Sequence, residues 1–298
     1  MRASVSRYVS GSLYGIAAVS IWAGWIVAAR LGLGTKLSPW DIAALRFAVA
    51  GLILLPVVLR RGLALNRLGW VGWMAIVLGG GAPMVLVSVA GLKFAPAAQA
   101  GALFPGVMPL MVALLASLVL KEQFAPVKRI GLVFVLTGVL AVVGAAGATF
   151  GTKQNIGHLL FLAAAFLWAC YTVAMRRARL EGMHSAAIAA VVSMVGYVPV
   201  YVLFLERGLF NVAWSDIVLQ AFVQGFLTAV LSLTLYGRAI ALLGASSGAA
   251  FGALCPAMTA LLAIPILGEW PTLLEWTGII LISAGVYFVS GGPLPGRR

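Results

Sequence analysis

The sequence predicts an all-α integral membrane protein: ten transmembrane helices arranged as two inverted five-helix repeats. Three observations carry that prediction: too few charges for a water-facing surface, ten apolar blocks of membrane-crossing length, and self-similarity at an offset of 146 to 147 residues.

Of 298 residues, 63% are apolar and 9% charged, whereas soluble domains average about half and about a quarter. Seven acids and twenty bases cannot supply a polar skin for a soluble fold of this length. A surface facing lipid needs none. The apolar runs are long and continuous, which points to helices, because barrel strands would alternate apolar and polar residues over ~10 positions. Cys170 and Cys255 lie inside apolar stretches with no disulfide framework or zinc-ligand spacing around them.

A helix rising 1.5 Å per residue needs about 20 residues to cross the hydrocarbon. The first block, 11–31, follows Arg2 and Arg7 and is too long for the core of a cleaved leader, so it reads as a retained span. The second, 40–60, ends at Arg60 and Arg61. The third, 69–91, closes before Lys93, and the fourth, 97–120, runs to Lys121 and Glu122. The fifth, 127–147, starts at Lys128 and Arg129; the sixth, 157–177, ends on Arg176 and Arg177. The seventh, 186–205, stops at Glu206 and Arg207. The eighth, 215–236, precedes Arg238; the ninth, 245–267, precedes Glu269; the tenth is 273–291.

With ten crossings, fourteen basic residues share the side of the N-terminus and five, Arg30, Lys36, Lys93, Lys153 and Arg207, face the other, leaving Arg46 within a span. Both termini are therefore expected in the cytoplasm. The +13 charge reads as topology and contact with anionic lipid headgroups, not as nucleic-acid binding.

Slid against itself, the chain matches Gly11 and Ile21-Trp22-Ala23-Gly24-Trp25 with Gly157 and Leu167-Trp168-Ala169-Cys170-Tyr171. Pro109, Glu122, Gly131 and Gly138 fall on Pro256, Glu269, Gly278 and Gly285. The halves are 1–150 and 151–298. Five spans is an odd number, so the second half must enter the membrane from the opposite side. Inverted repeats of this kind are typical of secondary transporters, where a central site opens alternately to either face.

These residues resemble the drug/metabolite transporter superfamily, in particular ten-helix exporters built of two EamA-type repeats, and among them bacterial amino-acid exporters. The most specific elements are Pro109 followed by Leu118-Val119-Leu120-Lys121-Glu122, and Pro256 followed by Ile266-Leu267-Gly268-Glu269. Each is followed by its glycine pair. Ala90-Gly91-Leu92-Lys93-Phe94-Ala95-Pro96-Ala97 and Tyr236-Gly237-Arg238-Ala239-Ile240 are similar to the family's junctions between helices. The resemblance implies a basket of ten helices with a central cavity that exports small metabolites such as amino acids across a bacterial inner membrane; a monomer without a cofactor is expected. Drugs or nucleotide sugars are the alternative cargo on the same fold.

A transport site must compensate the desolvation of its cargo with polar or aromatic contacts. Trp22 and Trp25, and at matching positions Trp168 and Tyr171, lie three apart on one helix face, where they either line a cavity or pack helices together. Gln99 and the pair Ser246, Ser247 open the fourth and ninth spans, with Phe104 and Phe251 following. Pro105, Pro109 and Pro256 interrupt those spans and nominate hinges. Thr228, Ser232 and Tyr236 form a stripe at i, i+4, i+8; Met84 and Ser88 are offered by the third span. The stripe's hydroxyls either meet substrate or bond their own helix carbonyls. Glu122 and Glu269 either cap gates or pair with Lys121 or other loop bases, with their place at helix ends favouring solvated or structural roles. Arg46 is expected to snorkel toward Asp41 or the headgroups, with capture of a substrate carboxylate as the alternative. His158 and His184, near span ends, are expected at the interface. With no metal-ligand cluster, paired aspartates or phosphate-binding loop, an intramembrane enzyme on lipid-linked substrates is the disfavoured rival, and nucleotide-driven pumping by this chain alone is excluded.

Overall fold

The structure, a computed structural model, describes residues 2–122, 126–145 and 153–290, with the side chains of 2–7, 245, 246 and 249 outside the description. Among the described residues there are helices and turns and no strand. The helices are α1 (Arg2–Leu33), α2 (Pro39–Arg61), α3 (Leu65–Gly91), α4 (Ala97–Val119), α5 (Pro126–Ala145), α6 (Lys153–Arg177), α7 (Gly182–Phe204), α8 (Trp214–Leu243), α9 (Phe251–Leu267) and α10 (Leu273–Val289). The first eight are long and apolar enough to cross a bilayer, and α9 and α10 are shorter apolar helices. A separate short helix, Ala245–Ala250, supplies the first part of the ninth expected span.

Local chemistry explains where the helices start. Ser38 Oγ accepts from the Asp41 amide while the Asp41 carboxylate accepts from Ser38 N at 2.7 Å, a reciprocal cap that opens α2 just before Pro39. Thr272 and Glu275 repeat the arrangement at α10. Four spans are irregular inside. α3 breaks at Gly81, α4 turns between Leu103 and Met108, α8 widens to a π-helical coil over Ala221–Leu231, and α9 opens with a 3-10 turn, Phe251–Leu254. Contrary to the expectation from sequence, the prolines do not interrupt a continuous helical ladder. Pro105 lies in the turn, while Pro109 and Pro256 occupy the first turn of the helix that resumes, where the missing N–H has no helical partner to lose.

The tightest helix pair is α5 with α10. A Cβ on Gly131 would lie 2.7 Å from Gly285 O, and one on Gly285 would lie 2.6 Å from Gly131 O. Gly138 and Gly278 face each other in the same reciprocal way, at 2.6 and 2.7 Å. The helices are therefore antiparallel and in backbone contact, which no side chain larger than hydrogen permits.

The bundle is packed unequally along its length. All seven residues of Ala97–Leu103 are buried, whereas Met108–Val119 buries only Leu110 and Ala116. In α3 the Ala82–Gly91 half is largely buried, while Leu65–Gly80 buries only Ile76 and Gly79. The C-terminal part of α1 and the N-terminal part of α6 are likewise the buried ones. These segments gather at one end of the bundle.

Gly278→Val is expected to destabilise the purified protein by about 1–3 kcal/mol or more through overpacking. Gly24, whose Cβ would meet nothing within 4 Å, should instead tolerate Gly24→Ala with a gain of about 0.5–1 kcal/mol. Thermal unfolding in detergent reads both.

Candidate functional site

The well-packed end is closed by one carboxylate. Glu269, just past α9, pairs with Arg30 near the end of α1 at 2.8 Å and also accepts from the Ala97 amide at 2.7 Å, which caps the N-terminus of α4. Arg30 in turn donates to Leu92 O. Four segments thus meet on two side chains. At the other end Glu122, after α4, pairs with Arg176 of α6 at 2.5 Å. The side chains of Arg30 and Glu269 are 32% and 18% exposed against 41% and 40% for Arg176 and Glu122, so the first pair is the tighter lock. Arg61 also pairs with Glu181 at this second end.

The expected pairing of these glutamates with loop bases such as Lys121 is corrected by these contacts. Their partners are helix-terminal arginines, and Arg30 and Arg176 lie at the repeat offset of 146 residues. That relation was present in the sequence. Both arginines lie at span ends, outside the mid-membrane stretch where a cargo site is expected.

Beside the Glu269 lock is a polar cluster. Gln99 Nε2 donates to Glu275 Oε1 at 2.6 Å, and Gln99 Oε1 accepts from Gln154 Nε2 at 2.9 Å and contacts His158 Nε2 at 2.7 Å. A cavity of about 310 Å³ lies here, lined by Gln99, Gln154, Glu269, Thr272 and Glu275 among others. A groove of about 600 Å³ lies at the opposite end between α3, α4 and α6, with Arg67, Trp70, Val119 and Arg177 on its walls. His158 and His184 are buried rather than interfacial: the first joins Gln99, and the second contacts Gly62 O at 2.9 Å. Neighbouring chain covers both helix ends.

Deeper in the bundle, α1 and α8 share an aromatic and hydroxyl seam. Trp22 Nε1 donates to Ser232 Oγ at 3.1 Å, and its ring tilts against Tyr236 at 4.8 Å. Thr228 Oγ1 donates to Val223 O, five residues back as the π-coil requires, and Ser232 Oγ donates to Thr228 O. Trp25 is buried with its ring edge-on to Phe104 at 6.1 Å, at the turn in α4. Trp168 and Tyr171 sit 5.1 Å apart, and Tyr171 is buried between Gly80 and Ser185, whose Oγ lies 2.8 Å from its hydroxyl. Met84 and Ser88 are buried, with Ser88 Oγ donating to Val85 O three residues back in the same helix. Phe251 packs against Gly15, Ser247 is half-buried, and the side chain of Ser246 lies outside the described residues. Trp22, Trp25, Phe104, Ser232 and Tyr236 are thus brought together, whereas Tyr171 stands in a separate cluster with Ile76 and Ile188.

Arg46 does not snorkel. Asp41 is already committed to Ser38, to the Tyr201 hydroxyl and to the Gly208 amide, and the guanidinium turns inward over Trp25 at 5.4 Å. Gln220 and Gln224 of α8 were also missed: Gln220 Nε2 donates to Ala28 O at 2.6 Å and Gln224 Nε2 to Trp25 O at 3.3 Å. Among the described residues no group of three His, Cys, Asp or Glu side chains could hold a metal ion.

Among known proteins, the profile of the EamA-like transporter family matches residues 9–144 and again residues 155–291. An uncharacterized transporter of Archaeoglobus fulgidus is 27% identical over 277 residues, covering 91% of this chain and 93% of that protein. The uncharacterized transporter YyaM of Bacillus subtilis is 28% identical over 271 residues, 85% of each chain. The aromatic amino acid exporter YddG of Ancylobacter novellus is 30% identical over 176 residues, 56% of this chain and 58% of that protein. A crystal structure at 23% identity superposes with a TM-score of 0.61 over 94% of this chain and 96% of its own, a shared fold.

The two locks differ in what they hold, so their loss should differ in size. Glu269→Ala removes an ion pair and a helix cap and is expected to cost about 2–3 kcal/mol, whereas Glu122→Ala should cost under about 1 kcal/mol. Equal melting temperatures for the two variants would contradict the assignment.

Proposed function

Because the chain belongs to the EamA-like transporter family, we propose that it exports small metabolites, first among them amino acids and their analogues, across a bacterial inner membrane by alternating access. The two halves, 1–150 and 151–298, act as inverted repeats with a twofold axis in the membrane plane. Three findings support this: the family profile matches twice, the α5/α10 glycines contact reciprocally, and the two locks are exchanged. The last carries the reading. In each lock an arginine from the first helix of one half meets a glutamate at the end of the fourth helix of the other.

In this reading both locks are engaged, the Glu269 lock the more firmly, and the less tightly packed Glu122 end, which opens when Arg176 and Glu122 part, faces the cytoplasm where the excess of basic residues belongs. Substrate enters from that side, reaches the seam of Trp22, Trp25, Phe104, Ser232 and Tyr236, and leaves when Glu269 releases Arg30 and Ala97. Gln99, Met84, Ser88, Trp168, Tyr171, Thr228, Ser246, Ser247 and Phe251 line or support the route, and Pro105, Pro109 and Pro256 mark the points where α4 and α9 bend. The name of the Ancylobacter relative supports amino acids as the cargo. The substrate passes unchanged, and binding energy is needed only to offset its dehydration.

Reconstituted into liposomes, the protein should move at least one labelled amino acid from a panel that also holds quaternary ammonium drugs and nucleotide sugars. Trp22→Ala should lower that flux about tenfold or more while the protein still folds. Movement of the drugs or nucleotide sugars alone would replace the amino-acid reading with one of those.

A further inference from the structure

Arg46 presents an electrostatic problem that no described residue of the chain solves. The residue is 9% exposed, within α2, and its Nη1 is buried without a hydrogen-bond partner. The ion pairs among the described residues are Arg30–Glu269, Arg61–Glu181 and Arg176–Glu122; Arg46 is in none of them. Its guanidinium carbon stands 5.4 Å from the Trp25 ring centroid and 6.0 Å from that of Phe47. Stacking occupies the face of a guanidinium and leaves its edge donors unspent. A desolvated cation without a counter-charge is held at several kcal/mol of disadvantage until an anion arrives. Its planar fork fits a carboxylate in a two-bond geometry.

A complementary orphan lies on α8, the helix packed against this part of α2, and its residue also contacts Trp25. Gln224 Oε1 is buried without a partner, although its Nε2 donates to Trp25 O at 3.3 Å and Gln220 Oε1 at 3.2 Å. The next residue, Gly225, abuts α2: a Cβ there would fall 2.5 Å from Val49 Cβ and 3.4 Å from Arg46 O. This stretch of α8 is the π-helical one, a rare coil frequently found at functional positions. Phe104 stands edge-on to Trp25.

The geometry points to Arg46 as the residue that binds the carboxylate of a zwitterionic substrate, with Gln224 Oε1 accepting from its ammonium group and Trp25 and Phe104 as apolar walls. The assignment rests on the transport reading above and names its substrate class: compounds carrying a free carboxylate beside an amine.

The test uses purified full-length protein and matched probe pairs, phenylacetate against phenylacetamide and L-phenylalanine against L-phenylalaninamide, followed by tryptophan fluorescence and thermal stabilisation. Each acid should bind about tenfold or more tightly than its amide, Arg46→Gln should abolish that ratio, and Arg46→Lys should keep part of it. Equal binding of acid and amide by the unaltered protein, which needs no variant to fold, overturns the assignment. So does an acid preference that survives in Arg46→Gln. Gln224→Leu should keep the preference for acid over amide but lose the preference for L-phenylalanine over 3-phenylpropanoate, which lacks the amine; retention of both places the amine elsewhere and overturns that part. Chloride stabilising the protein as well as phenylacetate at equal concentration would make this an inorganic-anion site and also overturn the proposal. If liposomes carry no amino acid yet the acid preference follows Arg46, the amino-acid export reading fails and the site stands; undiminished L-phenylalanine flux in Arg46→Gln sinks the site and leaves that reading intact.

Discussion

Two arginine–glutamate pairs at opposite ends of the bundle are the constraint on which the rest of the arrangement depends. Charged groups at the edge of a bilayer are tolerated where each has a partner or water. Arg30 and Glu269 have both a mutual contact and backbone partners, at Leu92 O and Ala97 N respectively. Arg176 and Glu122 have each other and more solvent. The first pair holds α1, α4, α9 and the end of α3 together, and burial of the whole Ala97–Leu103 segment follows from that convergence. Without an equivalent cap at the second pair, the opposite halves of α3 and α4 remain far more exposed.

The same two helices that meet at the Glu269 lock also carry the inner aromatic contact. Arg30 lies five residues beyond Trp25 on α1, and Ala97 lies seven residues before Phe104 on α4. Displacing the capped end of α4 therefore shifts the ring that stands against Trp25, because the intervening segment is a single helical piece ending in a turn. In the proposed cycle, release of the lock and rearrangement of the site are one movement. In that proposed cycle the backbone contact between α5 and α10 is the seam against which the halves rock.

Much of the fold was legible in the sequence for a simple reason: span count depends on apolar length and charge placement, which are local properties. The glycine pairs also announced themselves, since Gly131/Gly138 and Gly278/Gly285 recur at the repeat offset. What was not legible depends on which helix lies next to which. Arg46 reads from sequence as snorkelling outward, and only the commitment of Asp41 to Ser38, Tyr201 and Gly208 shows why it turns inward. The burial of Glu275 and His158 arises where three helix ends abut, and the π-coil of α8 has no residue signature of its own. Trp25 and Phe104 were each singled out, but only the turn in α4 explains why they meet.

The most direct measurement of the account is the sidedness of its two locks. In a background where Cys170 and Cys255 are replaced, Glu122→Cys and Glu269→Cys are labelled one at a time with a membrane-impermeant maleimide, in intact cells and in inverted vesicles. The account requires Glu122→Cys to react only in inverted vesicles and Glu269→Cys only in intact cells, each at a rate that changes when the opposite lock is broken. Labelling of both positions from one compartment would contradict it.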